Sequence, residues 1–225
     1  MGNCFNYKGN TVEAVPLGSH LETSLSNIYE AHQKEMVKEI KDVYEQVLKG
    51  DAGSIKLIKI QWEQLDETGS KLLSFVLPEL PSLRELNLKD NNLQEKGANQ
   101  LSKELIRATG LKKLAVTENH LGDGGLYYIS ATFKYLNSVE ELNLENNDIT
   151  DAGAQELAKN MNGLGNLRVL TIHKNQIKSK GLLALAQALN AIPSFQEFTF
   201  DMKDVPDKDI EMIQSLVPKI ILSGR

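Results

Sequence analysis

A 28-residue period runs through most of this chain without insertion or deletion, in six units that begin at Ile55, Leu83, Leu111, Val139, Leu167 and Phe195. Each opens on L-x-x-L-x-L-x-x-N-x-L or a close variant, most cleanly LRELNLKDNNL from Leu83 and VEELNLENNDI from Val139. A single unit of this length cannot bury its own apolar face, so neighbours must stack on it and share one continuous core. The period restricts the fold to a solenoid more tightly than any sum of residue propensities.

Within the unit at Leu83, the spacing sends Leu83, Leu86, Leu88 and Leu93 inward and alternates Glu85, Asn87 and Lys89 outward, as a half-buried strand requires. The outward columns continue as Lys113, Ala115 and Thr117, then Glu141, Asn143 and Glu145, then Val169, Thr171 and His173, and finally Glu197, Thr199 and Asp201. Asn91, Asn119, Asn147 and Asn175 share one phase, where a buried amide can serve backbone groups at the strand's turn. Glu63 and Lys203 replace it in the terminal units.

The second half of each unit reads as a helix. Gly69, Gly97, Gly125, Gly153 and Gly181 recur at one phase, with Asp209 in the last unit, and pairs such as Leu101 and Leu105 or Leu157 and Met161 follow at helical spacing. One strand and one helix per unit put parallel strands on an inner wall and helices outside. Helices are wider than strands, so the stack curves into a horseshoe.

The units LRELNLKDNNLQEKGANQL and VEELNLENNDITDAGAQEL resemble the ribonuclease-inhibitor type of leucine-rich repeat, and the resemblance covers residues 55 to about 218. It implies an α/β, right-handed solenoid with parallel strands on the concave face, helices on the convex face, an N-terminal capping helix and an irregular C-terminal end within residues 55–225. For function it implies less. Proteins of this repeat class include inhibitors, receptor sensor domains, actin-capping proteins and the GTPase-activating protein for Ran, and fold alone does not choose among them.

Ahead of the repeats, residues 24–49 carry helical periodicity through Leu25, Ile28, His32, Met36, Ile40, Val43 and Val47. The expectation is a capping helix within residues 23–54, covering the open end of the first unit; a dimerising helix and a membrane-surface helix are the alternatives. Residues 1–22 read as a flexible polar lead. Its Met1-Gly2-Asn3-Cys4 start resembles that of doubly acylated proteins, which implies myristate on Gly2 and palmitate on Cys4. One acyl chain binds membranes marginally and two anchor stably, so the pairing makes physical sense. The other reading is an unmodified terminus, since Asn6 stands where the acylation pattern prefers Ser or Thr.

Composition excludes several classes of function. A formal charge of −5 argues against nucleic acid as a main ligand. No apolar run has the length of a membrane span or of a secretory signal. With Cys4 as the only cysteine, no internal disulfide can form, which fits a reducing, cytoplasmic setting, or the cytoplasmic face of a membrane if the N-terminus is acylated. No phosphate-binding loop, zinc motif or catalytic signature appears, and the four histidines are scattered, so neither a cofactor nor a metal is expected.

What remains is binding. The expected partner is another protein, met by a monomer through its concave strand face and strand-to-helix loops. The candidate residues are Trp62, Glu85, Lys89, Lys113, Glu141, Glu145, His173 and Asp201. Trp62 has the size and polarity of an interface anchor, although packing beneath the N-terminal helix would explain it equally. The alternative function, a GTPase activator, needs an arginine to stabilise charge on the transferring phosphoryl group, and only Arg84, Arg107, Arg168 and Arg225 are available.

Overall fold

The computed structural model describes residues 3–8, 11–16, 20–34, 36–61, 63, 65–217 and 220–223, with side chains between residues 25 and 217. Asn3–Lys8 (β1) pairs antiparallel with Thr11–Pro16 (β2). His20–His32 (α1) and Lys38–Leu48 (α2) follow. The repeats then alternate: Leu57–Lys59 (β3), Glu67–Val76 (α3), Glu85–Asn87 (β4), Gln94–Leu105 (α4), Lys113–Ala115 (β5), Gly122–Ser130 (α5), Glu141–Asn143 (β6), Asp151–Asn160 (α6), Val169–Thr171 (β7), Ser179–Asn190 (α7), Glu197–Asp201 (β8), Asp207–Leu216 (α8) and Ile220–Ser223 (β9).

One 7-stranded sheet runs in sequence order from β3 to β9, and every pairing in it is parallel. Equivalent residues face one another: Leu57, Glu85, Lys113, Glu141, Val169 and Glu197 form one row across the wall. The final step, Phe198 to Ile220, is shorter than the repeat, so β9 extends the sheet from a truncated unit. The architecture is the α/β solenoid that the period predicts, with strands on one side and helices on the other.

The core lies between those two layers. Leu86, Leu88, Leu101, Leu105, Leu111, Leu170, Leu185 and Leu189 are all fully buried, and the rings of Phe198 and Phe200 meet beneath the last repeat with centroids 4.8 Å apart. Asn91, Asn119, Asn147 and Asn175 tie the units together. Asn119 Oδ1 accepts the N–H groups of Asn91 (3.1 Å) and Leu93 (3.3 Å), while its Nδ2 donates to Leu88 O (2.6 Å) and Thr117 O (2.9 Å). Asn147 and Asn175 make the corresponding bonds in the units that follow. A second set of ties sits where helices begin: Asp123 accepts from Thr150 N (2.8 Å) and Thr150 Oγ1 (2.6 Å), and Asp151 accepts from Lys178 N (2.8 Å) and Gly181 N (2.8 Å).

Two features of the N-terminal region differ from the sequence expectation. The first 22 residues are not a plain lead, because β1 and β2 form a hairpin there. The single capping helix is two helices, interrupted between His32 and Lys38. Val37 is extended (φ −60, ψ 151), which turns the chain while Leu25, Met36, Ile40, Val43 and Tyr44 all join the common core. Tyr44 Oη donates to Leu72 O on α3 (2.9 Å), fastening α2 to the first repeat, and burial holds the phenol pKa well above its usual range.

Candidate protein-binding face

The outward side chains of β3–β8 stand in rows set by strand pairing, and opposite charges meet along them. In the first row Lys113 Nζ lies 2.8 Å from Glu141 Oε1, with the two side chains 49% and 48% exposed. The hydrogen bond to Glu141 holds the Lys113 ammonium above its ordinary pKa, and the carboxylates of Glu141, Glu85 and Glu140 add to the effect. Glu85 is half-buried on the neighbouring strand. Lys89 pairs with Glu118 from the next loop, at 3.1 Å.

Glu145 organises the other end of the face. His173 Nε2 lies 3.0 Å from Glu145 Oε1, and Lys174 Nζ reaches the same oxygen at 2.7 Å. Burial pushes the Glu145 carboxyl pKa up, but the Lys174 hydrogen bond and the nearby His173, Lys174 and Lys89 outweigh it, so the net shift is downward. Lys174 is held above its ordinary pKa by the same hydrogen bond. Its backbone N–H also donates to the Asp201 carboxylate. Glu145, His173, Lys174 and Asp201 therefore form one connected cluster at the ends of β6, β7 and β8.

The sequence columns place these residues together, but not their exposure. Glu145 and His173 present only 17% and 18% of their side chains to solvent, because Lys174 and the adjoining strands cover them. Thr117, which the alternation sends outward, is buried in the column between the longer Lys89 and Glu145 side chains. Met202, in the slot that matches Trp62, packs partly against the core. Trp62 and Gly2 lie outside the described residues, as does the side chain of Cys4.

Periodicity gives little warning of the loops that follow the strands. Asp90, Glu118, Asn146 and Lys174, spaced by one repeat, all have positive φ between 53° and 57°. That left-handed turn is what swings the chain from the inner wall toward the helices. Its only sequence signal is the run of polar, unbranched residues at one phase, with Asn and Asp tolerating the conformation best.

Lys56, Arg84, Lys112 and Arg168 share one phase of the repeat, interrupted by Glu140, and the basic edge they form is partly neutralised. Glu140 accepts from Lys112 Nζ at 2.7 Å and lies 3.8 Å from Arg168, and the Lys112 hydrogen bond pulls its carboxyl pKa down. Arg168 also donates to Gln196 (3.1 Å), and Arg84 donates to Leu83 O (3.0 Å). Arg107 pairs with Glu104 on the helix side at 3.0 Å. None of these three arginines is carried on a strand-to-helix loop, and Arg225 lies outside the described residues. Among the described residues, no group of three His, Cys, Asp or Glu side chains could hold a metal ion, and no helix is long and apolar enough to cross a membrane.

Comparison with known proteins agrees with this geometry at the level of the repeat. A leucine-rich-repeat family model matches residues 79–102, 109–130 and 135–158. No curated protein matches the chain. Among solved structures, the crystal structure of an internalin from Listeria monocytogenes is similar at 16% identity and a TM-score of 0.28, covering 83% of this chain and 88% of that one. A likeness that loose carries no argument about function. The three matched segments hold β4, β5 and β6 with most of the helices that follow them, so these central units are leucine-rich repeats and the fold they build is the leucine-rich-repeat solenoid.

Proposed function

We propose that this protein is a non-catalytic interaction module, an adaptor or scaffold that binds a partner protein through the concave strand face and the adjoining strand-to-helix loops. One observation carries the reading: the outward side chains, mostly polar or charged and broken only by Leu57, Ala115 and Val169, are held in fixed register by strand pairing. A rigid, extended and pre-ordered surface suits macromolecular recognition, because little side-chain freedom remains to be lost on binding. The strand-plus-long-helix unit supports placing the chain with ribonuclease-inhibitor-like repeats. Its lone cysteine supports a reducing cytoplasmic setting, and the Gly2–Cys4 pairing supports a lipid tether on the cytoplasmic face of a membrane.

The test is a charge swap. Lys113→Glu with Glu141→Lys preserves the ion pair while reversing its direction on the exposed face, so stability should change by less than about 0.5 kcal/mol. Recognition should not survive. In an affinity capture from cell extract, a specific partner retained by the wild type should be lost from the swapped protein, with affinity falling on the order of tenfold or more. Glu145 is the wrong place for such a reversal, because its carboxylate is largely buried against His173 and Lys174. A partner retained equally by both proteins would remove the concave row from the binding site.

A further inference from the structure

The asparagine ladder stops one rung early. Asn91 and Leu93 donate their backbone N–H groups to Asn119 Oδ1, and Asn147 and Ile149 donate theirs to Asn175 Oδ1 at 2.9 and 3.0 Å. One repeat later the equivalent donors are the N–H groups of Asn175 and Ile177, and the residue at the acceptor's phase is Lys203. A lysine ammonium can only donate. Lys203 is exposed, and it cannot supply the missing carboxamide oxygen.

A cleft of about 550 Å³ opens at this point. Asn175 and Ile177, the two ladder donors, line it together with Lys174, Lys178 and Lys203. Gln176, Asp201 and Asp204 complete its rim. Two of these charged groups are already engaged: the Asp201 carboxylate takes the Lys174 N–H, and Lys174 Nζ is bound to Glu145. The Asp201 carboxylate keeps its charge in that bond, so Lys178 and Lys203 offset Asp201 and Asp204, and the attraction for an anion comes from the two N–H groups with the ammonium groups beside them. Backbone N–H groups that converge on one point, flanked by ammonium groups, form a recurrent oxyanion site.

We infer that this cleft binds a single oxyanion, a carboxylate or phosphate oxygen that takes the place of the absent asparagine Oδ1 and meets the N–H groups of Asn175 and Ile177. The site lies on a strand-to-helix loop beside β8, so on the proposed function it would seat an acidic group of the partner. Its existence does not depend on that reading, and its test uses no partner.

Backbone amide NMR of the whole chain, titrated with inorganic phosphate and separately with a short acetylated glutamate peptide, reads the site directly. The amide signals of Asn175 and Ile177 should move saturably, and the arm that saturates at lower concentration identifies the oxyanion source. Lys203→Asn should supply the missing carboxamide. That variant should unfold at higher temperature than the wild type and lose the saturable shifts. Lys203→Ala keeps the place open and removes only the charge, so it should retain the shifts with affinity reduced on the order of fivefold. Two results would overturn the assignment. One is that neither titrant moves the two amides in wild type or in Lys203→Ala. The other is that Lys203→Asn, folded by circular dichroism, responds as the wild type does.

Discussion

Asn119→Ala is expected to destabilise the protein by about 4 kcal/mol, among the largest losses from removing one polar side chain in the repeats. Asn119 is fully buried and satisfies four backbone groups of its own and the preceding unit. Alanine would leave the Asn91 and Leu93 N–H groups and the Leu88 carbonyl without this partner, in a place with no room to solvate all of them, while the Thr117 carbonyl would keep the Asp90 N–H. Each unsatisfied buried group costs roughly 1–3 kcal/mol, partly recovered by local adjustment. Chemical denaturation of the two proteins measures the difference. Asn175→Ala, at the half-buried end of the ladder, gives the internal comparison and should cost about half as much, because solvent can reach its groups. Equal losses at the two positions would mean that the ladder is not what holds the interior turns.

Gly163→Ala is the second large effect, about 3 kcal/mol, and its cause is backbone against backbone. Gly163 ends the short 3-10 turn Met161–Gly163, which lies against its counterpart Phe133–Tyr135 in the preceding unit. A methyl group there would sit 2.5 Å from Lys134 N, 2.6 Å from Phe133 C and 2.8 Å from Lys134 Cα. No rotamer change relieves such a contact, so neighbouring units must separate along the solenoid. Gly53→Ala serves as the control, since nothing lies within 4 Å of the added methyl. Thermal unfolding should show a marked drop for Gly163→Ala and almost none for Gly53→Ala; a matching drop in both would point to loop conformation rather than unit spacing.

Much of this fold was legible because each repeat states the same instruction again. The Leu86, Leu114, Leu142 and Leu170 column and the asparagine phase both appear as recurrences in the sequence, and both map onto paired strands and inter-unit hydrogen bonds. Where the repeat is absent, that redundancy is lost. The break between α1 and α2 was hidden because Met36 and Ile40 continue the apolar spacing of Leu25 and Ile28 across it, with no proline or glycine to mark the stop. The β1–β2 hairpin had a signal, the Gly9-Asn10 dipeptide between two runs of similar length, but short polar runs without a repeat behind them say little.

The candidate face was legible in a different sense. Alternation along each strand and the 28-residue step between strands placed Lys113 beside Glu141 and His173 beside Glu145, as the structure has them. What periodicity could not convey is how long side chains shade one another. Lys174 comes from a loop with positive φ, and from there it covers Glu145, turning an expected exposed carboxylate into a mostly covered one at the centre of the cluster. The same loop positions shape the cleft beside Lys203, which only the interrupted ladder and the structure together bring to notice.

Site-specific photocrosslinking decides whether the concave wall is the binding face. A photoreactive phenylalanine analogue at Asn143, in the middle of the wall, would be compared with the same group at Gln155, on α6 of the helical side. A concave binding face gives a covalent adduct with the captured partner from position 143 and none from position 155. An adduct from 155 alone would contradict it and place recognition on the convex helices.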